Sequence, residues 1–443
     1  MVSTAPPSAF HRRRRGLLAA ACMAASALLA AASAATPAAG TEPAPPQALD
    51  VLHWWTSVSE RRAADHLDAR LAEVGIQWRD TAIAGGAGMA AAKVMKGRLL
   101  SGRPPAVSQL IGAVLRDWAD LGLVLELDGV ARQGEWARTL FPAVQAHVTH
   151  RGHVVAAPLG VHRINVLLYN RRLFDRLKLA PPQDWAAAER AAQALRQAGY
   201  LPVAWSDEPW QVATVFEALL LAEGGPALYQ RLIVERDPDA YGRLAVGRAL
   251  ERLRWWRSLG SSGERPWTEA AREVAADRAG MLIMGDWAKG ELMALGSQLG
   301  ESFDCLPVPG TAGSHLYSID TLAMLTGDYS RQSVQERMAA QLFSAPVQQG
   351  YNRIKGSVPV RRDIDPQALD SCARDSWLTF SRADAPRLPS LAHRMAADEA
   401  LKDALMATVH RYAVDQRQGT EATQRRLATL VRALHKPPVT GTP

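Results

Sequence analysis

Cysteine is nearly absent from this chain, three in 443 residues, and no CxxC or HExxH occurs, so neither a structural zinc site nor zincin chemistry has support. Phosphate loops are lacking too. The stretch Gly85-Gly86-Ala87-Gly88 through Lys93 matches neither GxxxxGK[ST] nor a full GxGxxG, which leaves a nucleotide site without a motif. No GxSxG is present, and Ser261-Ser262-Gly263 lies in a loop with no triad context. No repeat with a period of roughly 20 to 50 residues is visible, which excludes solenoids and propellers. Past the N-terminal region no uninterrupted apolar run reaches the roughly 18 residues of a membrane span. Phe (7) and Tyr (8) are scarce, and Trp (13) outnumbers each of them. That imbalance favours stacking surfaces as well as core packing.

Arg12 to Arg15, the apolar run Gly16 to Ala32 and the small residues Ala32-Ser33-Ala34 read together as a signal peptide over 1–34, followed by a Pro/Ala/Thr-rich linker over 35–46. Its removal takes away four arginines and no acid, lowering the formal charge from +7 to +3. Nucleic-acid binding thereby loses its electrostatic basis. Export to the periplasm as a soluble protein is the expectation. Cys305 and Cys372 then remain in a compartment that favours pairing, and the sequence leaves open whether they join. His147, His150 and His153 are spaced by three, but the turn Arg151-Gly152 between them argues against a ligand trio.

Strand and helix patterns alternate from Ala48 onward: strand 48–55, helix 59–74, strand 75–83, the Gly turn and a helix to 101, strand 106–111. This order predicts a doubly wound α/β lobe with its crevice beyond the carboxyl ends of the strands. Trp54, Trp55, the Gly turn and Gln109 fall at such ends. A strand is expected over 162–169, helices over 185–198, 212–223, 239–258 and 268–277, short strands over 201–205 and 279–284, and a long helical tail from 366 to 435. A second, helix-rich α/β lobe accounts for them.

Trp54 and Trp55 follow the first strand, where alternation sends one indole into a core and the other toward a cleft. An indole face complements the apolar C–H face of a pyranose, and the sugar's hydroxyls need convergent polar partners. Asp286 is placed to cap the helix that follows it, while Trp287 in that helix's first turn projects toward the strand ends. Glu60, Asp286, Glu291 and Asp320 could instead supply the carboxylate pair of a glycosidase.

The ordered series Leu52 to Ser57, Ser101 to Pro105, His162 to Asn165, Pro209 to Gln211, Met284 to Glu291, Ile319 to Thr321, Lys355 to Val360 and Pro389 to His393 resembles the sugar-binding proteins of ABC transporters, in their glucose/mannose-binding branch. The resemblance implies a two-lobed α/β periplasmic binding protein fold of type II, with a ligand cleft between lobes joined by a multi-strand hinge. On it the first lobe takes 47–160 and 315–361, the second 161–314 and 362–436, and 437–443 is a flexible tail. It implies that Trp55 and Trp287 stack on a monosaccharide, that Trp54 and Trp267 line the site, and that Glu60, Lys96, Gln109, Asp320, Lys355 and His393 hold hydroxyls. It further implies a monomer without catalytic activity, cofactor or metal that delivers glucose or a related aldohexose to permease subunits. A sugar sensor serving a receptor or kinase, and a secreted glycosidase, are the alternatives. Met89, Ile111, Val166 and Leu168 depart from the pattern where polar or aromatic groups are expected, which predicts an altered sugar preference.

Overall fold

Leu49, Val51 and Leu52 are all buried, the near-continuous apolar run of a strand covered on both faces. They belong to β1 (Gln47–His53) in the computed structural model of the chain, which describes Met1, residues 47–85 and residues 88–434. The expected signal peptide, linker and C-terminal tail, and Gly86-Ala87 of the Gly turn, lie outside the described residues. Helix α1 (Val58–Ala72) starts at a capping box in which Ser57 and Glu60 each satisfy the other's backbone N–H. Its stripe of Ala63, Ala64, Leu67 and Leu71 is buried at helical spacing.

β2 (Ile76–Ala82) pairs parallel to β1 from Gln47↔Ile76 to His53↔Ala82; after α2 (Met89–Leu100), β3 (Val107–Gln109) pairs with β1's other edge. The predicted βαβαβ order is therefore present. Helix α3 (Gly112–Asp120) and the small hairpin of β4 (Thr149–His150) and β5 (His153–Val154) follow.

The single strand expected over 162–169 is two strands in two sheets. β6 (Ala157–Arg163) joins the first sheet, and β7 (Val166–Tyr169) starts the second. Both are buried along their whole length, and only the bend at Ile164-Asn165 separates them. The second lobe continues with α4 (Trp185–Gln197), β8 (Leu201–Val203), α5 (Pro209–Tyr229), α6 (Leu244–Arg257), α7 (Trp267–Ala275), β9 (Ala279–Met284), α8 (Trp287–Ala294) and β10 (Asp304–Pro307). The chain returns through β11 (His315–Met324), α9 (Gln332–Phe343), α10 (Ala345–Lys355), α11 (Ser371–Ser381) and β12 (Arg387–Pro389), and ends on α12 (Glu399–Val414) and α13 (Thr420–Leu434). The tail read as helical from 366 thus contains a strand, β12, that pairs with β11.

Strand order is β12-β11-β3-β1-β2 in the first sheet, with β6 also on β11, and β10-β7-β9-β8 in the second. Each lobe has its own core. Val51, Leu67, Ile319, Met338 and Tyr351 pack in the first, and Leu167, Leu195, Leu219, Trp256 and Met281 in the second. α11, from the stretch expected in the second lobe, buries Ala373, Trp377 and Phe380 in the first core. The α5 region is long and apolar enough to cross a membrane, but Val212, Val215, Leu219 and Leu220 are buried among α6 and α12.

The β6–β7 and β10–β11 crossings are pinned to each other by Asn165. Its Nδ2 donates to Thr311 Oγ1 (2.9 Å) and the Ser314 carbonyl (3.1 Å), while its Oδ1 accepts from Leu316 N (3.0 Å). A fully buried amide with its bonds made holds backbone that has left both sheets. A disulfide joins Cys305 of β10 to Cys372 of α11, with Cα atoms 6.1 Å apart. It ties the second sheet to a helix of the first core.

Candidate ligand cleft

The carboxyl ends of β1 and β3, the middle of β11, the start of α8 and the end of α10 converge on a cleft of about 410 Å³. That is within the usual range for small-molecule sites. Trp54, Trp55, Glu60, Trp267, Trp287, Asp320, Lys355 and His393, all expected at the site, line it. Gln109 stands just behind, its Oε1 accepting from Trp54 N (3.3 Å) and its Nε2 donating to Asp320 Oδ1 (3.1 Å). Lys96 is not there: α2 buries Ala91 and Met95, which puts Lys96 on the exposed face.

The inner wall is a network of buried charges. Lys355 Nζ, at the last turn of α10, donates to Glu60 Oε1 at 2.9 Å, and Glu60 Oε2 accepts from Thr56 N and Ser57 N. One carboxylate thus serves the capping box and fixes the ammonium. Lys355 keeps two N–H donors uncommitted by this pair. Burial alone would lower its pKa, but Glu60 and Asp320 raise it. Burial would raise that of Glu60, and Lys355 with the backbone donors holds it down.

Asp320 Oδ2 accepts from His162 Nε2 (3.2 Å) and Tyr351 Oη (3.2 Å). Burial opposes its charge, yet the hydrogen bond and charge of His162, with Lys355 and Tyr351, bring it down to about 2. His162 in turn has Asp286 Oδ1 2.5 Å from Nδ1. Burial would depress the imidazole, but carboxylates on both sides raise it to about 9. The imidazolium is the keystone of this wall. The motif His162 to Asn165 pointed to this stretch, but the alternation that turns His162 inward shows only once β6 is known to end at Arg163.

Asp286 does not cap α8, as its position suggested. Its backbone is helical and makes no side-chain cap, and its carboxylate takes His162 and Arg163 N (2.9 Å) instead. Glu217, deep in α5, accepts from Ser390 Oγ (2.5 Å) and Leu391 N (2.8 Å), holding the turn that presents His393. Burial pushes Glu217 up to about 7 against those bonds. His393 Nε2 lies 3.1 Å from Thr214 Oγ1, and burial lowers its pKa to about 3, so the ring is neutral.

The aromatic roles differ from expectation. Trp55 has 0% exposure and sits in the first core between His53 (centroids 4.9 Å) and Tyr351 (5.7 Å), so it reaches the cleft only at an edge. Trp54 is the half-buried one, lying over Gly88, whose left-handed φ of 84° and missing Cβ make room: a Cβ there would stand 2.7 Å from the indole. Gly88 is thus a seat for Trp54. Trp287 stands edge-on to His393 (4.9 Å) and His162 (5.4 Å), with Trp210 at 6.4 Å. Trp210, Glu208, Thr268 and Arg272 also line the cleft. The sequence reading did not assign them, although Trp210 lay within a quoted motif and Thr268 and Arg272 are one helical turn apart.

Of the four departures, only Ile111 lines the cleft. Val166 and Leu168 are core residues of β7, and Met89 is exposed at the start of α2. The three histidines at 147, 150 and 153 do not act together: His147 is buried in a helix, His150 pairs with Asp120 and His153 with Asp128.

Two α/β lobes, chain crossings between them and a polar-aromatic cleft at the strand ends define a two-lobed binding protein. The family model of bacterial extracellular solute-binding proteins matches residues 66–343. The chain belongs to that family. A probable sugar-binding periplasmic protein of Brucella suis is 33% identical over 392 residues, 87% of this chain and 93% of the relative. Among solved structures, the solute receptor AcbH, described as exclusive for β-D-galactopyranose, superposes with a TM-score of 0.74 at 15% identity, covering 88% of this chain and 99% of AcbH. A chitin oligosaccharide binding protein superposes at 0.71 with 14% identity, covering 87% and 98%.

Proposed function

We propose that this protein is the periplasmic sugar-binding component of an ABC importer, which captures a monosaccharide of the aldohexose type and delivers it to permease subunits. The observation that carries the reading is the cleft itself. Asp320 and Lys355, buried and preorganised by His162 and Glu60, offer an acceptor and donors to neighbouring hydroxyls, beside Trp287 and the half-exposed Trp54 and Trp267. Charged hydrogen bonds of this kind are worth about 1.5 to 3 kcal/mol each and discriminate against a sugar that leaves them unpaired. The relative's name supports sugar as the ligand class. The basic and apolar N-terminus supports export. Ile111 supports a preference for a sugar with an apolar edge at that position.

Binding without turnover is favoured by the fate of the four acids. Asp286 and Glu291 are committed to protein donors outside the cleft lining, and Glu60 is held by Lys355 and the capping-box N–H groups, which leaves Asp320 without a free carboxylate partner among the four. Calorimetric titration of the mature protein, unfolded and refolded to free it of co-purified sugar, tests the reading with D-glucose, D-galactose, D-mannose, D-xylose and chitobiose. Saturable heat with one hexose is expected. Heat only with the disaccharide would replace the monosaccharide, and none with any would end the proposal.

A further inference from the structure

Glu291 lies one helical turn after Trp287 in α8, has no exposed surface and is not itself a lining residue of the cleft. Its carboxylate crosses to the other lobe. Oε2 accepts from Ser59 N at 2.9 Å and Oε1 from Val58 N at 3.4 Å, two of the first-turn N–H groups of α1 that have no partner within their own helix. Side-chain caps usually come from the residue just before a helix. Here Ser57 fills that role for Glu60 N, and the remaining donors are satisfied from 232 or more residues away.

The surroundings are built for this contact. Gly290 lets α8 meet the end of α10 so closely that a Cβ would stand 2.6 Å from the Lys355 carbonyl oxygen. Gly356, at φ 96°, likewise leaves no room for a Cβ beside the Asp286 carbonyl. One helix thus carries Trp287 into the cleft from the second lobe and, four residues later, grips the helix that carries Glu60 and is preceded by Trp54 in the first.

We propose that Glu291 is a positioning residue that sets the distance between the two walls of the cleft, by capping α1 from the opposite lobe. The inference rests on the sugar-binding reading for its ligand, but not for its geometry. A negative group at a helix N-terminus is stabilised by the exposed N–H groups and the helix dipole, so the grip favours one lobe arrangement over others. Its removal leaves Ser59 N buried and unpaired in that arrangement alone.

Two variants separate reach from charge. E291Q keeps an acceptor at the same length, whereas E291D keeps the charge and withdraws it by one methylene. Each is titrated with the sugar of the panel above that binds the unmodified protein, and lobe separation is read from spin-label distances between L100C and L244C, both exposed sites in opposite lobes. The expected result is affinity within about threefold for E291Q and weaker by about tenfold for E291D, with a broadened distance distribution in E291D alone. Unchanged affinity in E291D would overturn the inference and leave the sugar reading standing. Weaker binding with an unchanged distribution would also overturn it, since the effect would then be local to the ligand. If no sugar binds the unmodified protein, the sugar reading falls and the distances decide alone: broadening in E291D supports the interlobe grip, and an unchanged distribution overturns it.

Discussion

Trp55, with no exposed surface, is wedged between His53 and Tyr351, while Trp54 lies half-buried over Gly88 at the cleft wall. Their substitutions should therefore separate. Trp55→Ala is expected to destabilise by about 3 to 5 kcal/mol, seen as a large drop in thermal midpoint, because it opens a cavity in the first core. Trp54→Ala should leave the midpoint nearly unchanged and weaken sugar binding by about tenfold, the value of one lost stacking face. Equal loss of stability in both would refute the division. The pair was legible in the sequence as one inward and one outward indole; which was which depended on β1 ending at His53, two residues before the strand pattern does.

At the scale of elements, the junction of β6, β11 and the β9–α8 turn is held by one imidazolium between two carboxylates. Because the folded pKa of His162, about 9, is raised above 6.5, its contribution is fully present below pH 6.5 and is lost as pH rises through about 9. Glu217, raised from 4.5 to about 7, likewise stabilises fully below pH 4.5 and loses that contribution as pH rises through 7. Below pH 6.5 this loss is opposed by His147 and His393, whose folded pKa values of about 3 make them take up protons on unfolding, so the net fall of the thermal midpoint with rising pH is expected between about 6.5 and 9. His162→Gln should flatten that fall; a variant whose alkaline decline matched the unmodified protein would show that His162 is not charged. Helix and strand existence along this region followed from periodicity, whereas the break at Ile164-Asn165 did not. Both sides of it are buried, and the bend is fixed by bonds to Thr311 and Ser314, about 150 residues away in the chain.

For the whole molecule, Cys305–Cys372 connects the second sheet to the first core and closes 67 residues of chain. By loop entropy such a bridge contributes about 4 kcal/mol through the unfolded state. Cys305→Ser with Cys372→Ser should lower the denaturant midpoint, with a steeper slope because the unbridged unfolded chain is more expanded. A midpoint within error of the unmodified protein would mean that the bridge is absent or offset by strain. The sequence left the pairing open, since the linear spacing of two cysteines carries no distance.

Composition and periodicity are local properties, and they determined the first βαβαβ unit and the α/β class; the candidate set around Trp54, Asp320, Lys355 and His393 came with the ordered motifs that carry the family resemblance. Only the tertiary structure decided that Lys96 faces solvent, that Asp286 serves His162 and not a helix end, that Trp54 and not Trp55 is open to the cleft, and that Glu291 caps a helix of the other lobe. Each of these turns on which partner reaches a buried polar group first. That is set by contacts between residues far apart in the chain, where local pattern carries no information.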